Sequence, residues 1–234
     1  LAEIASEAGA LVVGFVAMPF EFEGAVRGAA AREGLTAFRD LVDGVVVVEN
    51  QRLLSRADGE IGVQAAFDVI AEAVSKNIMA MQRLLASPGV VNIDFADVRR
   101  MVMNSHGRCT MVCAAASGKG RAERVLQEVL DHPLFCSRTV LAAAQSVIVG
   151  ICGGNDLTLR EMETIMSGLS GILSGTAAIK MGTTLNPSEK EGIMLMVLAS
   201  ETEEAAGDEP EAPEQDAQVL HRTGTGPESG KKKG

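Results

Sequence analysis

Two carboxylates and an amide stand close together in the run Val91-Asn92-Ile93-Asp94-Phe95-Ala96-Asp97-Val98-Arg99-Arg100. Asp94 and Asp97 are three residues apart, and Asn92 precedes the first by two. The run follows a long helical pattern that closes at Ser87-Pro88-Gly89. Asp94 is therefore expected at the start of a new helix, with Asp97 one turn further in. Free amide groups and the helix dipole favour anionic side chains there. On one edge, the two carboxylates can orient and polarise a water. The same spacing also describes an ordinary capped helix start, and spacing alone leaves both readings open.

The elements that must hold this run can be read from apolar periodicity. Residues 1–8 read as the end of a helix, and 10–16 as a buried strand rich in Val and Leu. Residues 24–42 read as a helix interrupted at Gly34, and 45–48 as a short apolar strand. This β-α-β order implies parallel strands with a crossover helix. A long helix follows over 62–86, with apolar residues at Val63, Phe67, Ile70, Val74, Ile78, Met81 and Leu85. At ~1.5 Å per residue it spans roughly 37 Å, enough to link two domains. A short helix carries Asp97 to Met103. Strands are then predicted at 108–115, 144–152, 177–185 and 193–199, with helices at 120–130 and 159–173. The last two strands, separated by Asn186-Pro187-Ser188-Glu189, fit a hairpin. Four strands and two helices make an α+β layer.

Composition narrows the function classes. The chain has 234 residues with 47% apolar content, enough for a buried core in one large or two small domains. Aromatics make up 3%, with no Trp or Tyr, so the core is aliphatic with 11 Met as filler. A net charge of −10 argues against a nucleic-acid-binding surface. Cys109, Cys113, Cys136 and Cys152 form no C-x-x-C pair and read as buried free thiols, which suits a reducing cytosol. Cys109 and Cys113 fall on one face of their strand, and a metal site including His106 is the weaker alternative. No metal site is assigned. No segment reaches the ~18 apolar residues of a membrane span. Residues 201–216 hold eight acids, no bases and two Pro, and the chain ends Lys231-Lys232-Lys233-Gly234. That segment cannot bury enough apolar surface to order itself, although its lysines can touch anionic lipid weakly.

The catalytic-looking run resembles the loop N-x-D-F-A-D-V of FtsZ, the bacterial tubulin homologue, and the resemblance continues in order over roughly residues 1 to 200. Pro19-Phe20-Glu21-Phe22-Glu23-Gly24-Ala25-Val26-Arg27 resembles the family's P-F-x-F-E-G-x-x-R segment. Val45-Val46-Val47-Val48-Glu49-Asn50 resembles its strand ending in I-P-N, with Glu49 in place of the Pro. Ala116-Ser117-Gly118-Lys119-Gly120-Arg121-Ala122 resembles A-S-G-E-x-R-A, with Lys119 replacing the acid. Gly153-Gly154-Asn155-Asp156-Leu157 resembles G-G-x-D-L. Both glycine segments read as structural turns, since the G-x-x-x-x-G-K-[ST] spacing of a phosphate loop is absent.

The resemblance implies an α/β fold with defined parts. Residues 1–61 are the C-terminal part of a Rossmann-like tubulin/FtsZ GTPase domain. Residues 62–86 are a long central helix, and 87–107 the catalytic loop and short helix. Residues 108–200 are an α+β domain with a four-stranded sheet, and 201–234 a disordered acidic tail. By the same resemblance, Asp94 and Asp97 position and polarise the attacking water in a neighbouring subunit's GTP site, with Asn92 at the γ-phosphate side. Glu23 contacts the ribose and Arg27 the phosphates, roles that suit a carboxylate and a guanidinium. Asn50 hydrogen-bonds the guanine and Phe67 packs on its face. Without the family, Glu23 and Arg27 read as a solvated helix start, Asn50 as a turn residue and Phe67 as core. Four residues after Phe67 the family carries Asp or Asn, which reads the guanine edge, and this chain has Ala71.

The implied ligands are GTP with Mg²⁺. The implied partners are further copies of the chain in a head-to-tail filament, and membrane-tethering division proteins at the tail. The implied location is the cytoplasm, at the division site. The family's Gly-rich string G-G-G-T-G-T-G does not occur, so the chain is read as a C-terminal fragment that is inactive alone. The alternative is a non-catalytic paralogue or fragment that caps or regulates filaments. A metabolic α/β enzyme ranks last, because no catalytic His or Cys constellation stands behind it.

Overall fold

The computed structural model describes residues 2–56, 61–86, 89–104, 108–132, 134, 138–187 and 190–200. The expectations for Ser87-Pro88, His106, Cys136 and the tail with Lys231, Lys232 and Lys233 lie outside these residues. Six strands are described: β1 (Val13–Met18), β2 (Gly44–Glu49), β3 (Arg108–Ser117), β4 (Ser146–Gly153), β5 (Ala178–Leu185) and β6 (Gly192–Ser200). They form one mixed sheet in the order β1-β2-β3-β6-β4-β5. The helices are α1 (Ala2–Glu7), α2 (Ala25–Arg39), α3 (Gln51–Arg56), α4 (Val63–Ala86), α5 (Phe95–Asn104), α6 (Arg121–Leu130), α7 (Arg138–Ala143) and α8 (Leu159–Ser170). Sequence periodicity had not indicated α3 or α7. Helix α2 runs unbroken through Gly34, against the expected interruption.

Strands β1 and β2 are parallel over six register pairs with α2 as the crossover, as the β-α-β pattern predicts. They join the other four strands through only two pairs, Val45↔Arg108 and Val46↔Cys109. The other ladders run for six to nine pairs, so the sheet is narrowest where the two groups of strands meet.

The expected hairpin between the last two strands does not form. Instead, β5 pairs parallel with β4 from Ser146↔Ala178 to Gly153↔Leu185, and β6 enters antiparallel between β3 and β4. The reason lies in the side chains. Strand β6 reads Gly-Ile-Met-Leu-Met-Val-Leu-Ala-Ser, apolar toward both faces, and such a strand needs neighbours on both sides and helices above and below. Strand β5 exposes Ala178, Lys180 and Leu185, which suits an edge.

Alternation along the strands divides the core. Val112, Val147, Val149, Ile151, Leu195 and Val197 face α6 and α8, where Val125, Val129, Ile165 and Leu169 close one aliphatic cluster. Cys109, Met111, Cys113, Ile148, Met196 and Leu198 face the other way, toward Ala80 of α4 and Val98, Met101 and Val102 of α5. Cys109 and Cys113 therefore share a face and are buried, as is Cys152, and none of the three is in a disulfide. Burial pushes the Cys113 thiol up to about 11, which keeps it protonated and unreactive.

Helix α4 crosses the sheet's second face. The predicted apolar stripe is rotated from the one observed. Its buried side is Ala66, Ile70, Ala73, Asn77 and Ala80, a run of mostly small residues spaced by four and three. Val63, Phe67 and Ile78 are exposed. Small side chains let the helix axis lie close to its neighbours, and a large-residue stripe would hold it off. Asn77 is 5% exposed, and its amide donates to the Met111 carbonyl oxygen at 3.0 Å, which ties the middle of the helix to β3.

The two glycine turns meet through one buried cation. Gly118 and Gly120 adopt φ of 79° and 69°, conformations that glycine takes without steric cost. They aim Arg121 into the space before α8. Its guanidinium lies 2.6 Å from Asp156 Oδ2 and 2.7 Å from Glu161 Oε1. Glu161 also closes the N-terminal capping box of α8 with Thr158. Hydrogen bonds from Arg121, more than the opposing effect of burial, hold the Glu161 carboxyl down at about 2 against an ordinary 4.5. A carboxyl depressed in this way stabilises the fold above about pH 4.5, and that contribution is lost as pH falls toward 2. We expect Arg121→Gln to lower unfolding free energy by about 1.5–3 kcal/mol at pH 7, the worth of hydrogen bonds between charged groups. The gap to the wild-type chain should close between pH 4.5 and 2 in denaturant titrations. A gap that does not change with pH would show that lost packing, not the ion pair, is what Arg121 contributes.

Candidate functional site

Loop and strand chemistry place Asn92, Asp94 and Asp97 together at the C-terminal end of α4. After the helix, the chain turns at Gly89 and runs against the edge of β5. The Val90 amide donates to the Thr183 carbonyl at 2.8 Å, and the Thr183 amide donates to the Val91 carbonyl at 2.8 Å. A Cβ on Gly89 would lie 2.5 Å from the Thr183 carbonyl oxygen, so only glycine permits this approach. Asn92 Oδ1 accepts from the Gly89 amide at 2.7 Å and closes the turn. Ile93 sits over Gly182, where a Cβ would meet its side chain at 2.7 Å.

Asp94 then caps α5, its Oδ1 accepting from the Ala96 amide at 2.9 Å. The capping reading of this residue is thus realised, and it fixes where the carboxylate sits. Asp97, in the first turn of α5, faces two cations. Arg100 Nη1 is 3.7 Å from Oδ1, and Lys180 Nζ on β5 is 3.5 Å from Oδ2. Val90, Val91 and Phe95 lie beside the acids in the chain and are exposed at 70%, 39% and 46%. Exposed apolar side chains grouped beside polar ones are what a protein contact surface offers.

The second set of candidates gathers at the other end of α4. Pro19 and Phe20 lead from β1 into a 3₁₀ turn, Glu21–Glu23. Phe20 is buried, stacks on Phe22 at 4.9 Å and 15°, and meets Phe67 edge-on at 5.6 Å. Phe67 is 42% exposed, so the core reading of this residue does not hold. Glu23 Oε1 accepts from the Phe20 amide at 2.8 Å, and its Oε2 pairs with Arg27 Nε at 3.1 Å. A carboxylate has acceptor sites beyond these two bonds. Asn50 follows β2 and is 5% exposed, and its Oδ1 has no hydrogen-bond partner among the described residues. A buried acceptor left unmet costs about 1–3 kcal/mol, and a donor from a ligand would relieve it. Glu49, in place of the expected Pro, pairs with Arg52 at 2.6 Å.

Each set is internally close, and the two are far apart. Phe67 lies near the start of α4, and the loop begins after its end at Ala86. The helix between them spans about 28 Å at 1.5 Å per residue. Sequence reasoning had missed three participants. Phe22 was visible only as an alternate aromatic in the Pro-Phe-x-Phe segment. Lys180 stands out in hindsight as the one charged residue in an otherwise uncharged strand. Thr183 carried no signal, because the backbone, not the side chain, makes its contacts to the loop.

The chain matches two family models. Residues 1–58 match the tubulin/FtsZ family GTPase domain, and residues 107–203 the FtsZ family C-terminal domain. Among solved structures it resembles an empty FtsZ dimer of M. jannaschii, with 28% identity and a TM-score of 0.73 over 85% of this chain and 57% of the other. A tyrosine-for-tryptophan mutant of that FtsZ gives 27% identity and a TM-score of 0.74, covering 87% and 60%. CetZ1 from Haloferax volcanii, a GDP-bound monomer, shares the fold at 18% identity and a TM-score of 0.66, covering 86% and 58%. The chain thus spans somewhat under two thirds of the length of the proteins it resembles.

The seating of the loop generates a prediction. Gly182→Val places branched carbons where Ile93 packs and should push the loop off β5. Amide exchange at Val90 and Thr183 should rise at least tenfold, and stability should fall by about 1–3 kcal/mol. Unchanged protection at these two amides would mean that Ile93 simply moves aside.

Proposed function

Since the chain belongs to the tubulin/FtsZ family, we propose that it carries the loop-bearing part of a GTPase that polymerises head to tail and hydrolyses GTP between subunits. The observation that carries this reading is the separation along α4. The acids and the aromatic wall cannot meet within one chain, but they can meet between two. A contact of that kind joins different surfaces of identical subunits and gives open filaments. In this reading Asp94 and Asp97 orient and polarise the attacking water, and Asn92 stands at the γ-phosphate side. Glu23 takes the ribose hydroxyls, Arg27 the phosphates, Asn50 the guanine edge and Phe67 its face. Phosphoryl transfer asks the protein mainly for positioning and charge stabilisation, which two fixed carboxylates and a guanidinium supply.

Mg²⁺ enters with the nucleotide. Among the described residues, no three His, Cys, Asp or Glu side chains converge on one point, and no step is assigned to an ion held by this chain. No Gly-rich string offers its backbone amides to the β- and γ-phosphates. We therefore read residues 1–61 as a partial nucleotide-binding domain, 62–86 as the central helix and 87–107 as the catalytic segment. Residues 108–200 are read as the second domain and 201–234 as an acidic tail for membrane-tethering division proteins. The setting is the cytoplasm at the division site, and no described helix is long and apolar enough to cross a membrane. A second reading, a subunit that caps filaments, is favoured by the exposed face that carries Val90, Val91 and Phe95 beside the loop acids.

Mixing this chain with a complete FtsZ, its own loop acids replaced by alanine, tests both. Alone, the chain should release no phosphate from GTP. In the mixture it should restore phosphate release, and Asp97→Ala should abolish that gain while nucleotide stays bound to the complete subunit. Falling polymer mass without phosphate release would favour the capping reading. No effect on either quantity would sink both.

Base selectivity gives an independent check. Ala71 lies one helical turn after Phe67 and has no polar group for a base edge. Guanosine should be preferred to adenosine only weakly in competition titrations. Ala71→Asp should raise that preference by about ten- to a hundredfold, the worth of one charge-assisted hydrogen bond of roughly 1.5–3 kcal/mol. No gain would place Ala71 off the base edge.

A further inference from the structure

The loop is held from outside its own segment, and one of the residues that hold it is charged. Strand β5 contributes three successive anchors: Lys180 to Asp97, Gly182 to Ile93 and Thr183 to Val91. Two of them fix where the loop runs. The third acts on a carboxylate to which the proposed chemistry assigns a role.

The two oxygens of Asp97 face different cations. Oδ1 faces Arg100 Nη1 at 3.7 Å, and Oδ2 faces Lys180 Nζ at 3.5 Å. Arg100 lies on the same helix one turn along, so it follows any movement of α5. Lys180 lies on the sheet. A carboxylate held by one cation on its own helix can rotate about χ2, and a second cation on a separate element restricts that rotation. The Asp97 side chain is 20% exposed and the Lys180 side chain 58%. The acid is thus set back while the ammonium remains open to an approaching group. Charge supports the same placement. Asp94 and Asp97 would face a triphosphate, and two carboxylates alone would repel it. Lys180 and Arg100 offset that repulsion at the point of approach.

We propose that Lys180 is a positioning residue for GTP hydrolysis. It holds the Asp97 carboxylate in the orientation that aims water at the neighbouring subunit's nucleotide. This rests on the reading that Asp97 acts in a neighbour's site. It adds a residue from the second strand group to a set otherwise confined to the loop.

The test uses this chain with the complete FtsZ lacking its own loop acids. Phosphate release and chain bound to sedimented polymer are measured together. Lys180→Met should lower turnover per bound chain about ten- to a hundredfold, the cost of a displaced catalytic group. The amount of chain bound and the KM for GTP should not change, because the nucleotide wall belongs to the other subunit. Lys180→Arg should recover most of the loss, since it restores a cation of similar reach. Thermal melts should confirm that both variants fold like the wild-type chain. Parallel loss of binding and turnover in Lys180→Met would make Lys180 an interface contact and overturn the proposal. Unchanged turnover per bound chain would overturn it too. Those outcomes are separable from failure of the functional reading. In that case wild-type chain restores no turnover, or Asp97→Ala leaves the restored turnover intact, and the role of Lys180 falls with it.

Discussion

The close seating of α4 on the sheet is the constraint from which the other features follow. Ala66, Ala73 and Ala80 give the helix a narrow buried side, and Asn77 pins its middle to the Met111 carbonyl. A helix fixed at its centre and built of 24 residues has two ends whose separation cannot vary. At one end Ile70 and Ala66 pack with Phe20, Val48 and Leu53, which sets the height of the aromatic wall. At the other end, Leu84 packs beside Gly150 and Gly182, where the chain turns toward β5. The two candidate sites are thus positioned by the same rigid rod, and any shift of the helix along its axis would move both.

Much of this architecture was legible in the sequence, because strand and helix periods are set by local sterics. The Val-rich runs, the capped start of α5, the glycine turns at Gly118 and Gly120 and the length of α4 could all be read directly. Readings failed where tertiary competition decides. Of the predicted stripe on α4, Val63, Phe67 and Ile78 are exposed. The helix instead turns Ala66, Ala73 and Ala80 inward beside Ile70, because small side chains let its middle lie close to its neighbours. The loop between β5 and β6 has the composition of a hairpin turn. Strand order nevertheless follows from which strand has two apolar faces, a property of the whole sheet. Positions in the candidate site were legible where they rest on the loop itself, as for Asp94 at the start of α5. They were hidden where they depend on a partner far away in sequence, as for Lys180 and Thr183.

The departures from the family pattern look different once the structure is in view. Glu49, where the resemblance led us to expect Pro, is a polar partner for Arg52 at the end of β2. Lys119 lies in a turn where it is exposed and its carbonyl accepts from Arg124. Neither change disturbs a buried contact. Arg121 and Asp156, which the quoted motifs share with the family pattern, pair with each other, and Arg121 also ties α6 to Glu161 of α8. Ala71 is a different kind of change. It leaves the backbone of α4 untouched and alters only what the exposed face beside Phe67 can offer a ligand.

Each end of α4 has one buried side-chain oxygen without a hydrogen bond among the described residues, Thr183 Oγ1 beside the loop and Asn50 Oδ1 beside the aromatics. Only at the aromatic end does it belong to a candidate site residue, and that difference carries mechanistic content. At the loop end, Asn92, Asp94 and Asp97 each have a partner within the chain, and the backbone is bonded to β5. Groups arranged in this way need little reorganisation when a substrate arrives, which is the condition for electrostatic catalysis. At the aromatic end, Asn50 Oδ1 is buried without a hydrogen bond among the described residues, Phe67 is half exposed, and Phe22 is 65% exposed. An end that keeps an unmet acceptor beside exposed aromatic faces gains stability when a flat ligand with a donor edge enters. Acids held by partners within the chain suit groups that act on a neighbour's substrate, and a candidate ligand contact left unmet suits the holding of one's own. Under the proposed function the asymmetry gives the chain a polarity, with one end to bind and the other to act. A head-to-tail array requires that polarity of every subunit in it.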